Sequence, residues 1–164
     1  MTAAAGAPRR LFTSLLLALL VLAGSSGCGV LSMPSTVQPP PSGSLVVSFI
    51  DVGQGDGVLV QSGGENYLLD AGKAQVGPRV VDFLRSRGVE SLNGIVVSNP
   101  DADHIGGFED VFDAFEVSSV YLSGDPKGTA TYNSFLRAVR EEGSEVVESR
   151  AGMQMDWGGT RADV

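Results

Sequence analysis

The sequence predicts an α/β domain that begins near Leu45 and covers a mixed sheet with helices. Three observations carry this. Leu45–Ile50 (LVVSFI) is β-branched and aromatic, and two further apolar runs after it are joined by a tight glycine turn. Helix-period segments then alternate with short strand-like runs. Glycines stand where two of those helices should stop, at Gly88 and Gly143.

Taken in order, Leu45–Ile50 is a strand that ends in the polar turn Asp51–Gly57 (DVGQGDG). Val58–Gln61 and Asn66–Asp70 are short strands across the turn Ser62–Glu65, so the sheet starts antiparallel. Asp70-Ala71-Gly72 closes the second of these. Gly77-Pro78 opens a helix, because proline at the first helical position gives up no needed hydrogen bond. Val80, Val81, Phe83 and Leu84 form its apolar face. Ile95–Ser98 is a strand, Gly107–Phe115 a short helix and Val117–Ser123 another strand. In Thr131–Glu142, Tyr132, Phe135, Leu136 and Val139 fall at helical spacing, and Ser144–Ser149 returns as a strand.

The 164 residues leave room for one domain with small extras. Ahead of the domain, Arg9-Arg10 precede the apolar run Leu11–Gly24, then small residues and Cys28. A charged start, an apolar stretch of this length and a small-residue zone are the marks of an export signal. The run is short of the roughly 20 apolar residues of a membrane span, which leaves an uncleaved anchor as the alternative. Ser25-Ser26-Gly27-Cys28 resembles a bacterial lipobox, with Ser25 where a large aliphatic is usual. Cys28 is the sole cysteine, so it has no internal disulfide partner, and lipidation gives it a use; the alternative is a chance cysteine beside a cleavage site. Arg9-Arg10-Leu11-Phe12 also resembles the core of a twin-arginine signal. Met33–Ser44, with three consecutive prolines, reads as an extended spacer. The expected organisation is an export segment over 1–28, a linker over 29–44 and a domain over 45–164. It implies an exported bacterial protein at the cell surface, or held at the membrane by a lipid or the signal itself.

Charge is strongly acidic, with 11 Lys+Arg against 19 Asp+Glu. A surface of this sign repels nucleic-acid phosphates unless a basic patch or a bound cation offsets it, and solubility is its plainest use.

Chemistry concentrates in Ser98–Gly107 (SNPDADHIGG). Asp101, Asp103 and His104 lie at the C-terminal end of a predicted strand, and two carboxylates with one imidazole suit a divalent cation. Alternation about Ala102 predicts an extended segment with both carboxylates on one side. Gly106 and Gly107 let the chain pack closely at the mouth of the loop. Taken alone, such aspartates also cap helices and fill turns, and a lone histidine is commonly structural.

Three ordered motifs, Phe49–Gln61, Tyr67–Gly72 and Ser98–Gly107, together resemble the metallo-β-lactamase fold superfamily, in its ComEC-like branch, over about residues 45 to 164. The resemblance implies a four-layer αββα sandwich with a one- or two-metal centre at its edge. It places Asp101 at a ligand position of the first metal and Asp103 and His104 at those of the second, with Asp103 also orienting the attacking water. It implies that Asp70 braces the metal loops and that Asp56 supports the site. The implied chemistry is metal-assisted hydrolysis. Zinc is the expected ion, manganese is tolerated by carboxylate-rich ligation, and phosphodiesters or nucleic acid are favoured over β-lactams.

The sequence also departs from that pattern. Asn99 stands where a histidine is usual, and His104 is the only histidine of the chain. Beyond the last strand, Ser144–Ser149, the later motifs of the pattern, a GD segment and a terminal HHGS-like segment, do not occur before Val164. The expectation is therefore a domain that stops after Gly158-Gly159, the first part of a longer enzyme and inactive alone. Two other readings stay open: a surface binding module that keeps the fold without the chemistry, and a lipoprotein whose loop holds one structural cation.

Overall fold

The computed structural model describes residues 40–41 and 43–164. The export segment, Cys28 and most of the linker lie outside these residues. Among the described residues no helix is long and apolar enough to cross a membrane.

Six strands form one sheet in sequence order: β1 (Leu45–Phe49), β2 (Val58–Ser62), β3 (Glu65–Leu69), β4 (Ser91–Val96), β5 (Glu116–Leu122) and β6 (Glu145–Glu148). β1, β2 and β3 pair antiparallel, and β3 to β6 pair parallel. The change of direction follows from the connections. Two residues, Gly63-Gly64, suffice between β2 and β3, whereas each parallel step is bridged by helix. These helices are α1 (Gly77–Ser86), α2 (Ala102–Ile105) with α3 (Phe108–Ala114), and α4 (Ala130–Glu142). A 3₁₀ turn, Ala74–Val76, precedes α1.

The alternation of side chains across the sheet divides the apolar residues into two cores. Leu59, Leu68, Ile95 and Val120 join Val80, Leu84, Phe108, Val111 and Phe135 in the helix-side core. Phe108 is fully buried there, tilted against Phe112 and Phe135. Removing such a ring costs about 3–5 kcal/mol. On the opposite face, Val60 and Tyr67 pack against Trp157 of a small antiparallel hairpin, β7 (Gln154–Trp157) and β8 (Thr160–Asp163).

The mixed α/β class and the order hairpin, helix, strand, helix, strand, helix, strand agree with the sequence reading. Three elements differ. β4 begins at Ser91, ahead of the apolar run, because Gly94 leaves room for the rings of Tyr67 and Tyr121: a Cβ there would sit 2.7 Å from Tyr121 Cε2. Gly158-Gly159, expected as a stopping point, is the turn of the β7–β8 hairpin. The segment after Asp101, expected to be extended, is helical from Ala102.

Candidate metal centre

The parallel register Tyr67↔Gly94 to Leu69↔Val96 brings the ends of β3 and β4 side by side, with Asp70 just past one and Ser98 just past the other. The outer ends of parallel strands are where open α/β sheets hold ligands. Asp70 is held by its backbone N–H on Val96 O at 3.0 Å and takes φ +53°. Aspartate is one of the few side chains that tolerates this left-handed conformation, which places the carboxylate under the following loop. The group is 1% exposed. It accepts from Ser98 N at 2.9 Å, from Ser98 Oγ, and from His104 Nδ1 at 2.8 Å. Three donors satisfy most of a carboxylate's acceptor capacity, which makes Asp70 a brace.

His104 sits on α2, and its carbonyl accepts from Ala71 N at 2.8 Å, so the helix is stitched to the end of β3. The DVGQGDG turn closes over it. Asp56 Oδ2 lies 3.6 Å from His104 Nδ1, with a side chain 68% exposed against 17% for the imidazole. The turn can approach because residue 55 is glycine: a Cβ there would lie 1.7 Å from Asp103 O. Gly107 serves the same purpose on the other side, where a Cβ would lie 2.2 Å from Ala71 O, and Gly106 packs against the backbone at Ala74.

The two aspartates of the loop part company. Asp101 is the extended residue before α2, while Asp103 is within it, so the period changes between them and they do not share a side. Asp103 Oδ2 accepts from Gln54 Nε2 at 3.0 Å, and Gln54 Oε1 accepts from Lys73 Nζ at 2.5 Å. Asp101 Oδ1 accepts from Lys127 Nζ at 2.5 Å and its Oδ2 from Asn99 Nδ2 at 2.9 Å. Gln54, Lys73, Ser98 and Lys127 were not singled out by sequence. Gln54 and Ser98 lie inside two of the recognised motifs, whereas Lys127, in the irregular segment before α4, carries no periodic signal.

The protonation of the site follows its partners. The hydrogen bond that His104 donates to Asp70 raises the His104 pKa above the ordinary imidazole value against an opposing effect of burial, with Asp70, Asp103 and Asp56 charges adding to it. Lys127, then Asn99, lowers the Asp101 carboxyl below its ordinary value. A cavity of about 410 Å³ lies at the other end of the strands, against Gln61, Asn66 and Ser91, and has no part in this centre.

One ligand atom each from Asp56, Asp70 and His104 falls within 4.8 Å of the others. With Asp70 and Nδ1 bonded to each other, the exposed Asp56 carboxylate and the second imidazole nitrogen are the groups of this cluster that could hold a divalent cation. With Asp70 engaged through Nδ1, the imidazole is fixed by a carboxylate in the manner of metal-binding histidines. On the other side of the loop the Asp101 carboxylate is paired with the Lys127 ammonium.

A sheet of this topology, with a carboxylate–imidazole cluster at its strand ends, is a metallohydrolase-like α/β domain. Residues 50–142 match the Metallo-beta-lactamase superfamily, more than half of the chain, and the protein belongs to that superfamily. It is 27% identical over 154 residues to ComE operon protein 3 of Bacillus subtilis (strain 168), covering 81% of this chain and 19% of that protein. It is 39% identical over 74 residues to Competence protein ComA of Neisseria gonorrhoeae, covering 43% of this chain and 10% of that one. Among solved structures, the metallo-beta-lactamase with a HARLDQ motif from Cronobacter sakazakii aligns at 18% identity and TM-score 0.52, over 70% of this chain and 47% of that one. The Rm3 metallo-beta-lactamase aligns at 18% and 0.52, over 70% and 46%. At such identities the likeness shows the fold alone. The chain thus spans less than a fifth of the length of the curated relatives and about half that of the solved enzymes.

Proposed function

We propose that this domain takes part in metal-dependent hydrolysis of phosphodiesters, with nucleic acid as the substrate class and zinc as the ion, manganese serving in its place. The observation that carries the reading is the buried Asp70 carboxylate holding His104 beside the exposed Asp56. In this reading His104 and Asp103 serve as ligands, as the resemblance implies, Asp56 supports a third position, and Asp101 is held by Lys127. A bound divalent cation would supply Lewis acidity and activate water at neutral pH. The chain's own groups do the rest. Asp70 fixes the ring of His104, Gln54 and Lys73 orient Asp103, and Asp103 directs the attacking water. The likeness to a competence protein supports a nucleic-acid substrate, and a cation offsets the acidic surface that would otherwise repel it. We also propose export and anchoring through lipid on Cys28, which mass spectrometry of the membrane fraction checks by a diacylglyceryl mass on a mature N-terminal cysteine.

The test uses the full chain with zinc or manganese against bis(p-nitrophenyl) phosphate, single-stranded DNA and a chromogenic β-lactam. Turnover of the phosphodiesters that chelator abolishes and Asp103→Asn removes is expected. Metal binding without turnover of any of the three would instead favour the binding module, which the ammonium beside Asp101 already suggests.

A further inference from the structure

We infer that Lys127 is a built-in cation: its ammonium takes the Asn99–Asp101 arm of the loop, so that the centre accepts one divalent ion, on the His104 side, and not two. The inference rests on the reading of the His104 side as a metal position. Its own ground is the contact set at the other arm. Lys127 Nζ donates to Asp101 Oδ1 at 2.5 Å and to Asn99 Oδ1 at 3.3 Å, while Asn99 Nδ2 donates to Asp101 Oδ2 at 2.9 Å. Three side chains therefore close a ring in which both carboxylate oxygens are engaged and the charges cancel. A divalent ion bound to Asp101 would meet the ammonium at contact distance, where like charges repel most. The donors left to it would be an amide oxygen and a shared carboxylate, a poor set for zinc. Lysine suits the role as a compact point charge with three donors on a long stem.

The arrangement is local. Lys127 lies between β5 and α4, in a segment without regular structure, and its side chain is 36% exposed. Substituting it removes the charge without opening a core. Residue 127 is a positioning residue in this proposal: it sets how many metal ions the loop admits and touches no reacting atom.

The test compares the full-length wild type, Lys127→Met, Asn99→His and the double variant Asn99→His/Lys127→Met. Zinc stoichiometry is read by native mass spectrometry and affinity by calorimetry, with circular dichroism melts to confirm folding. The wild type should hold one equivalent, which His104→Gln removes. Asn99→His alone should gain a second equivalent only weakly, and the double variant should bind that second ion at least tenfold more tightly. Two equivalents on the wild type would overturn the inference. So would second-site affinities that match in the single and double variants, or no second site in either. A wild type that binds no zinc, with the tenfold ratio intact, would sink the metal reading on the His104 side and leave the role of Lys127 standing.

Discussion

The two arms of the SNPDADHIGG loop, at Asp101 and His104, lie three residues apart and are built on opposite plans. The His104 arm is anchored inward, on a carboxylate that is 1% exposed and hydrogen-bonded by three donors. The Asp101 arm is anchored outward, on a half-exposed lysine and an amide. The difference teaches that burial, and not the number of acidic residues, decides which side is preorganised. A buried hydrogen-bonded carboxylate is costly to disturb, whereas a solvated ion pair is worth little.

Breaking the buried arm should have the largest effect. Asp70→Ala leaves Ser98 N and the His104 ring without their partner, and we expect a loss of about 3 kcal/mol in urea unfolding. Zinc affinity should fall by about 10–100-fold in the same variant, measured by calorimetry. Next is His104→Gln, which should abolish zinc binding while costing only about 1 kcal/mol of stability, because the glutamine amide still reaches toward Asp70.

A smaller and more diagnostic effect is pH dependence in metal-free protein. The folded state holds the His104 proton to higher pH than the unfolded chain does. Its stabilisation is therefore full below about pH 6.5, the ordinary imidazole value, and is lost as pH rises through the raised folded value. Thermal melts in chelator should show Tm falling across that interval, and His104→Gln should flatten the curve. Zinc must displace the same proton, so its affinity should rise over that range. The smallest effect belongs to the outer arm: Lys127→Met should leave Tm unchanged within error, and should alter metal stoichiometry only where Asn99→His accompanies it. A drop comparable to that of Asp70→Ala would erase the contrast between the arms.

Much of this fold was legible in sequence because its helices and hairpin are local. Thr131–Glu142 reads as a helix by spacing alone and is observed over Ala130–Glu142, capped by Thr129 and Gly143. Less legible was whatever depends on distant packing. Gly94 argues against a strand until two tyrosine rings are seen to need its space. The β7–β8 hairpin has short strands whose partner, Tyr67, lies far back in the chain. At the site, the loop stands out in sequence but the sides its aspartates take do not, since Asp101 and Asp103 separate only when helix starts between them. Lys127 was invisible for the same reason: only the folded chain brings it to Asn99.

Trp157 is the only tryptophan of the chain, and it stacks on Tyr67 at 4.4 Å and 12° in the core opposite the helices. Its emission is thus a gauge of one seam, the seat of the hairpin on the sheet, and not of the molecule at large. Burial, aided by Glu65, holds the Tyr67 phenol protonated well above the usual range, so that seam keeps its optical character through neutral and mildly alkaline solution. Followed together with the far-ultraviolet helix signal, it shows whether the hairpin lifts away before the helical layer melts.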